Sequence, residues 1–558
     1  MKRGWITMVA FLLVLLPVLS ACSKSTEEPG KNGSPSPSAP ASPSSNASPS
    51  PAGNKDGKYN PPITLTTVGK VLPTVKYASG DSVDNNPWTR AYESEFGVKV
   101  KYLWTVDPTQ WEQKTNLMIA SGDIPDFFLA SGVQFKQLAD AGLLADLTDA
   151  YNTKAPDRVK KVLTEGGDQA IKSATINGKL MAIPWTGVPK EGSQMIWVRT
   201  DWLRKLNLPE PKTMDDVLKI SAAFTAQDPD GNGKDDTFGL ALDKDFASIN
   251  GFLNGFHAYR DIWLKDASGK LVYSTIQPAM KTALQKLQDM AKQKQIDPEF
   301  GTKAFAKAAE SIAGGKIGLM YGSPYSGLFP LQSGIDKDPT MEWKAFPIVS
   351  ADGQQAKNQI DLGVVGYWVV KKSVKQPEAL FKMIDFWINT FYENKDDEIN
   401  KKYVNDGNVE IWQMNSIAVY KAFKNADQRL KVVKALETKD TSALTGDDKA
   451  VYNNILKFQG GDKSAWGWNA IFGKDGSMGV TDAYRKNDQF ISNEFITSPL
   501  PAMVEKGPAL DKMKNELFTK IILGTASIDQ FDKFVEDWKK NGGDEITKEV
   551  NDWYAKNK

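Results

Sequence analysis

At 558 residues the chain is too long for one ordinary hydrophobic core and should fold as two or more lobes. Lys and Arg number 69 against 68 Asp and Glu, so the net charge of +1 offers no basic excess for a nucleic-acid backbone, and nucleic acid is not an expected partner. One cysteine excludes an intramolecular disulfide, and a single histidine, His257, leaves little from which to build zinc, haem or Ser-His-Asp chemistry.

The first 22 residues carry two cations, an apolar run too short to span a bilayer, and then small residues, the layout of a secretory signal over residues 1–21. Leu19-Ser20-Ala21-Cys22 resembles the bacterial lipobox, in which cleavage before the cysteine frees its amine and the thiol takes diacylglycerol. Two acyl chains anchor stably at about 0.8 kcal/mol per buried methylene, which would hold Cys22 at the outer face of the cytoplasmic membrane. Residues 22–62, with S-P-S-P-S-A-P-A-S-P-S-S, cannot bury a core and read as an extended tether.

The body then alternates short strands and amphipathic helices. Ile63 to Val68 is strand-like; Trp88, Ala91, Tyr92 and Phe96 mark a helix face closed by Gly97; Val98, Val100, Tyr102 and Trp104 alternate at period two. Gln110 to Ala120 reads as a helix stopped near Gly122, and Asp126 to Leu129 as a buried strand. Such alternation predicts an α/β fold with a parallel sheet. Further on, Met195 to Val198 is a strand, Asp201 to Leu206 a short helix, and Thr213 an N-cap with Asp216 three residues later. Met280, Ala283, Leu284, Leu287 and Ala291 form another buried stripe. Lys316 to Ser323 and Val364 to Val370 return to strand character, a helix passes through Glu378, Phe381 and Phe386, and the chain from Thr481 is helical and charged.

One stretch has a metal-binding pattern. In Q-D-P-D-G-N-G-K-D-D-T-F-G-L, Asp228, Asp230, Asn232, Gly233, Lys234 and Asp236 fall on positions one, three, five, six, seven and nine of an EF-hand loop, with Lys234 offering only its backbone carbonyl. Position twelve is Gly239 in place of a bidentate Glu, so the ligand set must be completed differently. Since a helix precedes the loop and a strand pattern follows it, the expected ion is a structural Ca2+, and a metal-free polar turn is the alternative.

Taken with the lipobox and tether, S-G-D-I-P-D (121–126), G-K-L-M-A-I-P-W (178–185), W-V-R-T-D-W-L-R-K-L (197–206), G-K-I-G-L-M-Y-G (315–322) and I-L-G-T-A-S-I-D-Q-F-D (522–532) resemble, in that order, a bacterial extracellular solute-binding protein of family 1. The resemblance implies a type II periplasmic-binding-protein-like fold: two α/β lobes joined by hinge crossings, with a sugar or oligosaccharide held in the cleft and passed to ABC permease subunits. Large members similar to alginate-binding proteins carry a calcium loop with a Glu after the last Asp, where this chain has Thr237. The expected division is lobe 1 at 63–187 and 317–390, lobe 2 at 188–316 and 391–480, and C-terminal helices at 481–558 packing on the lobes of a monomer.

A pyranose stacks its apolar face on aromatic rings and needs polar partners for its hydroxyls. Candidate ligand-binding residues are Trp185 at the end of a strand, Tyr321 and Tyr325 about a second crossing, Trp466 and Trp468 in a small-residue loop, and the polar Asp126, Glu191 and Asn469. Trp104, Trp111, Trp197 and Trp387 sit in regular patterns and are assigned to packing. No catalytic residue stands out. A surface-anchored carbohydrate-active enzyme and an adhesion lipoprotein remain the competing readings.

Overall fold

The computed structural model describes residues 57–71, 75–187, 189–406 and 409–557; the signal segment, Cys22 and the tether up to residue 56 lie outside the described residues. The elements used below are, in chain order, β1 (Ile63–Lys70), α1 (Pro87–Phe96), β2 (Val98–Val106), α2 (Trp111–Ser121), β3 (Phe127–Ala130), α3 (Gly132–Asp140), β4 (Ala182–Thr186), β5 (Met195–Arg199), α4 (Met214–Ala226), β6 (Phe238–Leu240), α5 (Pro278–Lys292), β7 (Ile317–Gly322), β8 (Trp343–Phe346), β9 (Asn358–Ile360), β10 (Val364–Val370), α6 (Ala379–Ile388), α7 (Lys424–Thr438), α8 (Gly446–Gln459), α9 (Trp466–Phe472), β11 (Phe490–Ser492) and α10 (Pro501–Ile522).

Local chemistry sets the helix ends. The Asn86 side chain accepts from Trp88 N and Thr89 N to start α1, and Gly97, at φ 65°, ends it in the left-handed conformation. A Cβ at Gly97 would lie 2.4 Å from Tyr59 O, so the close approach as well as the dihedral selects glycine. Thr213 and Asp216 form a reciprocal capping box at the start of α4.

The strands form separate small sheets. β1 and β2 pair in parallel; β10 lies between β3 and β4, antiparallel to both; and β8, β5, β7 and β6 form a sheet in that order, with only β7–β6 parallel. The expectation of a parallel sheet is therefore corrected to a mixed one. β10 and β8 enter their sheets late in the chain and from the opposite direction, so they pair antiparallel with strands laid down earlier.

Two large hydrophobic cores divide the described body. The first takes residues from β1 through β4, then from β10 through Val419; the second takes β5 through Ile360, then Ala422 onward to Val550. Residues 317–360 therefore belong with lobe 2 rather than lobe 1, because β7 pairs antiparallel with β5 from Leu319↔Val198 to Gly322↔Met195. Residues 391–419 belong with lobe 1, where Tyr392, Tyr403 and Val419 are buried. The C-terminal helices complete the second core through Leu510, Phe518 and Ile521 on α10 and the residues that follow. A smaller cluster binds α7, α8 and α9 on the flank of that lobe.

The chain passes between the cores three times: after β4, between β9 and β10, and at Tyr420–Ala422. These passages are knit at one level, where Gly187 N donates to Gly363 O (2.9 Å), Tyr420 N to Thr186 O (3.2 Å) and Thr186 Oγ1 to Tyr420 O (2.8 Å). Three crossings bonded to one another define a bending axis. Among the described residues no helix is long and apolar enough to cross a membrane.

Candidate functional site

β4 delivers Trp185 to the first crossing. Its half-buried indole lies against Trp368 and Tyr420, with ring centroids 6.2 and 5.9 Å away, and its buried Nε1–H has no hydrogen-bond partner. An unpaired buried donor costs about 1–3 kcal/mol, which makes it a natural point for a ligand oxygen.

The second lobe contributes charged groups beside the second crossing. Gln359, in the middle of β9, accepts from Arg260 N (2.9 Å) and donates to Arg260 O (2.8 Å), fixing the segment that carries Arg260 and Asp261. Burial works against the Asp261 carboxylate, but Lys514, Arg260 and the Tyr273 hydroxyl hold its pKa below the usual range. Asp361, on the crossing itself, is exposed to water yet walled in; desolvation first, and then the negative charge of Asp261, raises its carboxyl. Lys190 is shifted down by burial and stands over the Phe490 ring at 5.3 Å. A cavity of about 30 Å3 lies among the crossings, lined by Thr186, Lys190, Asp361 and Tyr420. It has room for about one water and is far below the roughly 300–1,000 Å3 of ligand pockets, so a ligand of that size requires the lobes to part. The loop after β11 also reaches across, where Ser498 Oγ donates to Gly132 O at the start of α3.

Of the residues singled out from sequence, Trp185 alone lies at the crossings with an unpaired polar atom. Glu191 lies beside them but is fully buried and saturated: its carboxylate accepts from Asn425 N (2.7 Å), Ala426 N (2.8 Å), Asn425 Nδ2 (2.8 Å) and the Tyr325 hydroxyl (3.2 Å). Glu191 and Tyr325 thus fasten the first crossing to the N-terminus of α7, and burial raises the pKa of both groups. Tyr321 is 0% exposed, with its hydroxyl against Met214 Sδ, and belongs to the core. Asp126 Oδ2 accepts from Thr66 N (2.8 Å) and Thr66 Oγ1 (2.7 Å), an internal brace of the first lobe.

Trp466, Trp468 and Asn469 sit on helix α9, where a loop was expected. Gly467 lets this helix pack closely on Gly327, because a Cβ there would lie 2.7 Å from Gly327 O. Trp468 stacks on Phe472 at 6.1 Å, whereas Trp466 and Asn469 line a recess on the lobe's flank. Among the tryptophans assigned to packing, Trp197 and Trp387 are buried, while Trp104 and Trp111 are half-buried against each other under Lys114 and Lys70. Arg260, Asp261, Gln359 and Asp361 were not legible as site residues, since only the fold brings 260, 359 and 361 together.

The loop at 228–236 is curled around its own carboxylates. Asp228 accepts from Gly231 N, Asn232 N (both 3.1 Å) and Gly233 N (3.0 Å). Asn232 Nδ2 donates to Asp230 Oδ2 (2.7 Å) and Asp236 Oδ1 (3.0 Å), so a partial positive charge sits where alternate oxygens converge. Desolvation and the neighbouring Asp228 raise the Asp230 carboxyl. Lys234 is exposed, with its backbone N–H on Asn232 Oδ1 (2.8 Å). Among the described residues no three acidic, His or Cys side chains are drawn together tightly enough to form a metal cage by themselves. Thr237 is turned inward, its hydroxyl donating to Phe224 O (2.8 Å). At Gly239 a Cβ would lie 2.0 Å from Ser221 Oγ, so the twelfth position is closed to any side chain.

Two α/β lobes strung on three crossings are the architecture of a two-lobed solute-binding protein. The chain belongs to the bacterial extracellular solute-binding protein family, whose characteristic sequence pattern it matches over residues 77–390. It is 25% identical over 488 residues to lipoprotein LipO of Bacillus subtilis, covering 85% of this chain and 90% of that protein. It is 24% identical over 473 residues to the polygalacturonan/rhamnogalacturonan-binding protein YtcQ of the same organism, covering 82% and 85%. The fold is similar to that of the Streptococcus pneumoniae ABC-transporter substrate-binding protein FusA, solved as an EF-hand mutant with fructo-nystose, at a TM-score of 0.55 and 16% identity over 88% of this chain and 99% of that one.

Proposed function

We propose that the chain is a surface receptor that binds a sugar or oligosaccharide between its lobes and delivers it, unaltered, to an ABC importer. The observation that carries this reading is Trp185: a half-buried aromatic face with an unpaired indole N–H, set where three hydrogen-bonded crossings let the lobes bend. Arg260 and Asp261 from the opposite lobe, and Asp361 from the second crossing, supply hydroxyl partners. YtcQ and FusA, with their named glycans, support the ligand class. Anchoring through diacylglycerol on Cys22 follows from the lipobox, and the lipoprotein relative supports it.

A structural Ca2+ at residues 228–236 is part of the proposal. Asp228, Asp230, Asp236, the Asn232 amide oxygen and the Lys234 carbonyl would hold it, and the ion would neutralise carboxylates that now share one amide. FusA, which shares this fold and was solved as an EF-hand mutant, supports the assignment.

Titration with kestose and with a trigalacturonate, followed by thermal shift and by chromatography of the recovered sugar, tests the reading. Saturable stabilisation with intact sugar is expected, about 2.7 kcal/mol at one hundred times the dissociation constant, weakened at least about tenfold by Trp185→Ala. Shortened sugar, or stabilisation untouched by that substitution, would overturn it.

A further inference from the structure

A recess of about 530 Å3 opens on the flank of the second lobe, and none of the three crossings contributes to its wall. The edge strand β8 forms one side; α7, α8 and α9 form the other. Trp343 and Trp466, 7% and 8% exposed, bring indole edges to its surface, and neither indole N–H has a hydrogen-bond partner among the described residues. The side-chain amides of half-buried Asn469 and exposed Gln459 bond no other described residue either. Glu437 stands at the rim, and Glu342 is held by two bonds of 3.0 Å from Arg204. Arg199, clamped by Asp201 at 2.8 and 2.6 Å, lies 5.8 Å from the Trp343 ring and fixes it. A second recess of about 390 Å3 shares Glu342 and Trp466, so the groove continues.

We infer that this flank groove is a second saccharide site, taking a short uncharged oligosaccharide independently of lobe closure. The volume falls in the range of ligand pockets, and the lining offers indole surface beside donors and acceptors that each await a partner. A purely apolar ligand would leave those amides and indole N–H groups unpaired, and the three lining carboxylates, Glu342, Glu437 and Asp475, outnumber the two lysines, Lys344 and Lys474, which disfavours an anion. A sugar ring meets both requirements, with one apolar face and a rim of hydroxyls that donate and accept. All walls belong to one lobe, so the site keeps its shape when the hinge bends. The inference borrows only the ligand chemistry of the proposed function and needs neither the interlobe cleft nor an importer.

The test uses kestose and maltotriose as probes, read by the 15N indole resonance of Trp343 in the full mature chain. Wild type and Trp185→Ala should show the same saturable shift with millimolar sugar. The double variant Asn469→Ala/Gln459→Ala should keep the wild-type melting temperature and the cleft-linked stabilisation but weaken the Trp343 shift at least tenfold. No shift with either sugar, or a shift of equal affinity in the double variant, would overturn the inference. A Trp343 shift without any cleft-linked stabilisation would instead sink the proposed function and leave this site standing.

Discussion

Replacing Glu191 tests whether the crossings are held by chemistry or only by packing. Its carboxylate, 0% exposed, accepts two backbone N–H bonds at the first turn of α7, from Asn425 and Ala426, and two side-chain bonds. Glu191→Ala strands two backbone donors at a helix start. At about 1–3 kcal/mol for each buried group left unmade, with part recovered as the site relaxes, the cost should be about 3 kcal/mol. Loss of the carboxylate from the positive end of α7 accounts for about 0.3–1 kcal/mol of that total. Glu191→Gln keeps one accepting oxygen and should cost about 1 kcal/mol. A chain with two cores is not expected to unfold in one step, so the readout is amide hydrogen exchange at Asn425 and Ala426. Exchange should accelerate about a hundredfold in the alanine variant, the equivalent of about 3 kcal/mol, and about fivefold in the glutamine variant. Unchanged exchange at both amides would refute the reasoning, because it would mean that water or another residue replaces the carboxylate without loss.

Other expectations are equally direct. Gly239→Glu, which restores the twelfth ligand of an EF-hand, should destabilise the second lobe in thermal melts, since a Cβ there lies 2.0 Å from Ser221 Oγ and 2.5 Å from Ser221 O; a gain in stability with calcium would contradict this. Calcium should raise the melting temperature of the wild type and EDTA reverse it, while Asp228→Ala abolishes the response; identical melts with and without the ion would remove the metal from the account. Burial would raise the Asp482 carboxyl, but Lys486 and Arg485, each at 2.6 Å, lower it below its ordinary 3.8. The folded-state pKa lies below the unfolded one, so this stabilisation is present near neutrality and fades as pH falls below about 4 towards the depressed value. Denaturation between pH 6 and 3 should therefore show a shallower acid loss in Asp482→Asn than in wild type, and superimposable profiles would deny the ion pairs their role.

What the sequence revealed was local, and what it hid was long-range. The helix face of Trp88, Ala91 and Tyr92, its stop at Gly97, and the Thr213–Asp216 cap are settled within one or two turns of chain, and they stand in the structure as read. Strand direction was not legible, because β10 meets β4 only after about 180 intervening residues and β3 after about 230, a stretch that supplies much of the other lobe. Aromatic residues misled for the same reason. Tyr321 follows a strand pattern beside Gly and Ser, which fits a cleft as well as a core, and only its contact with Met214 decides. Gly467 read as a loop signal; close packing against Gly327 is what requires it. The Arg260–Asp361 group is assembled from segments about a hundred residues apart, with no spacing that could announce it.

The central claim is that two lobes close on a sugar that leaves unchanged. Small-angle scattering of the mature chain, without and with a saturating oligosaccharide that is recovered afterwards, tests it most directly. A smaller radius of gyration in the complex and sugar of the original length are expected; binding with no contraction, or recovery of cleaved sugar, would contradict closure on an unaltered ligand.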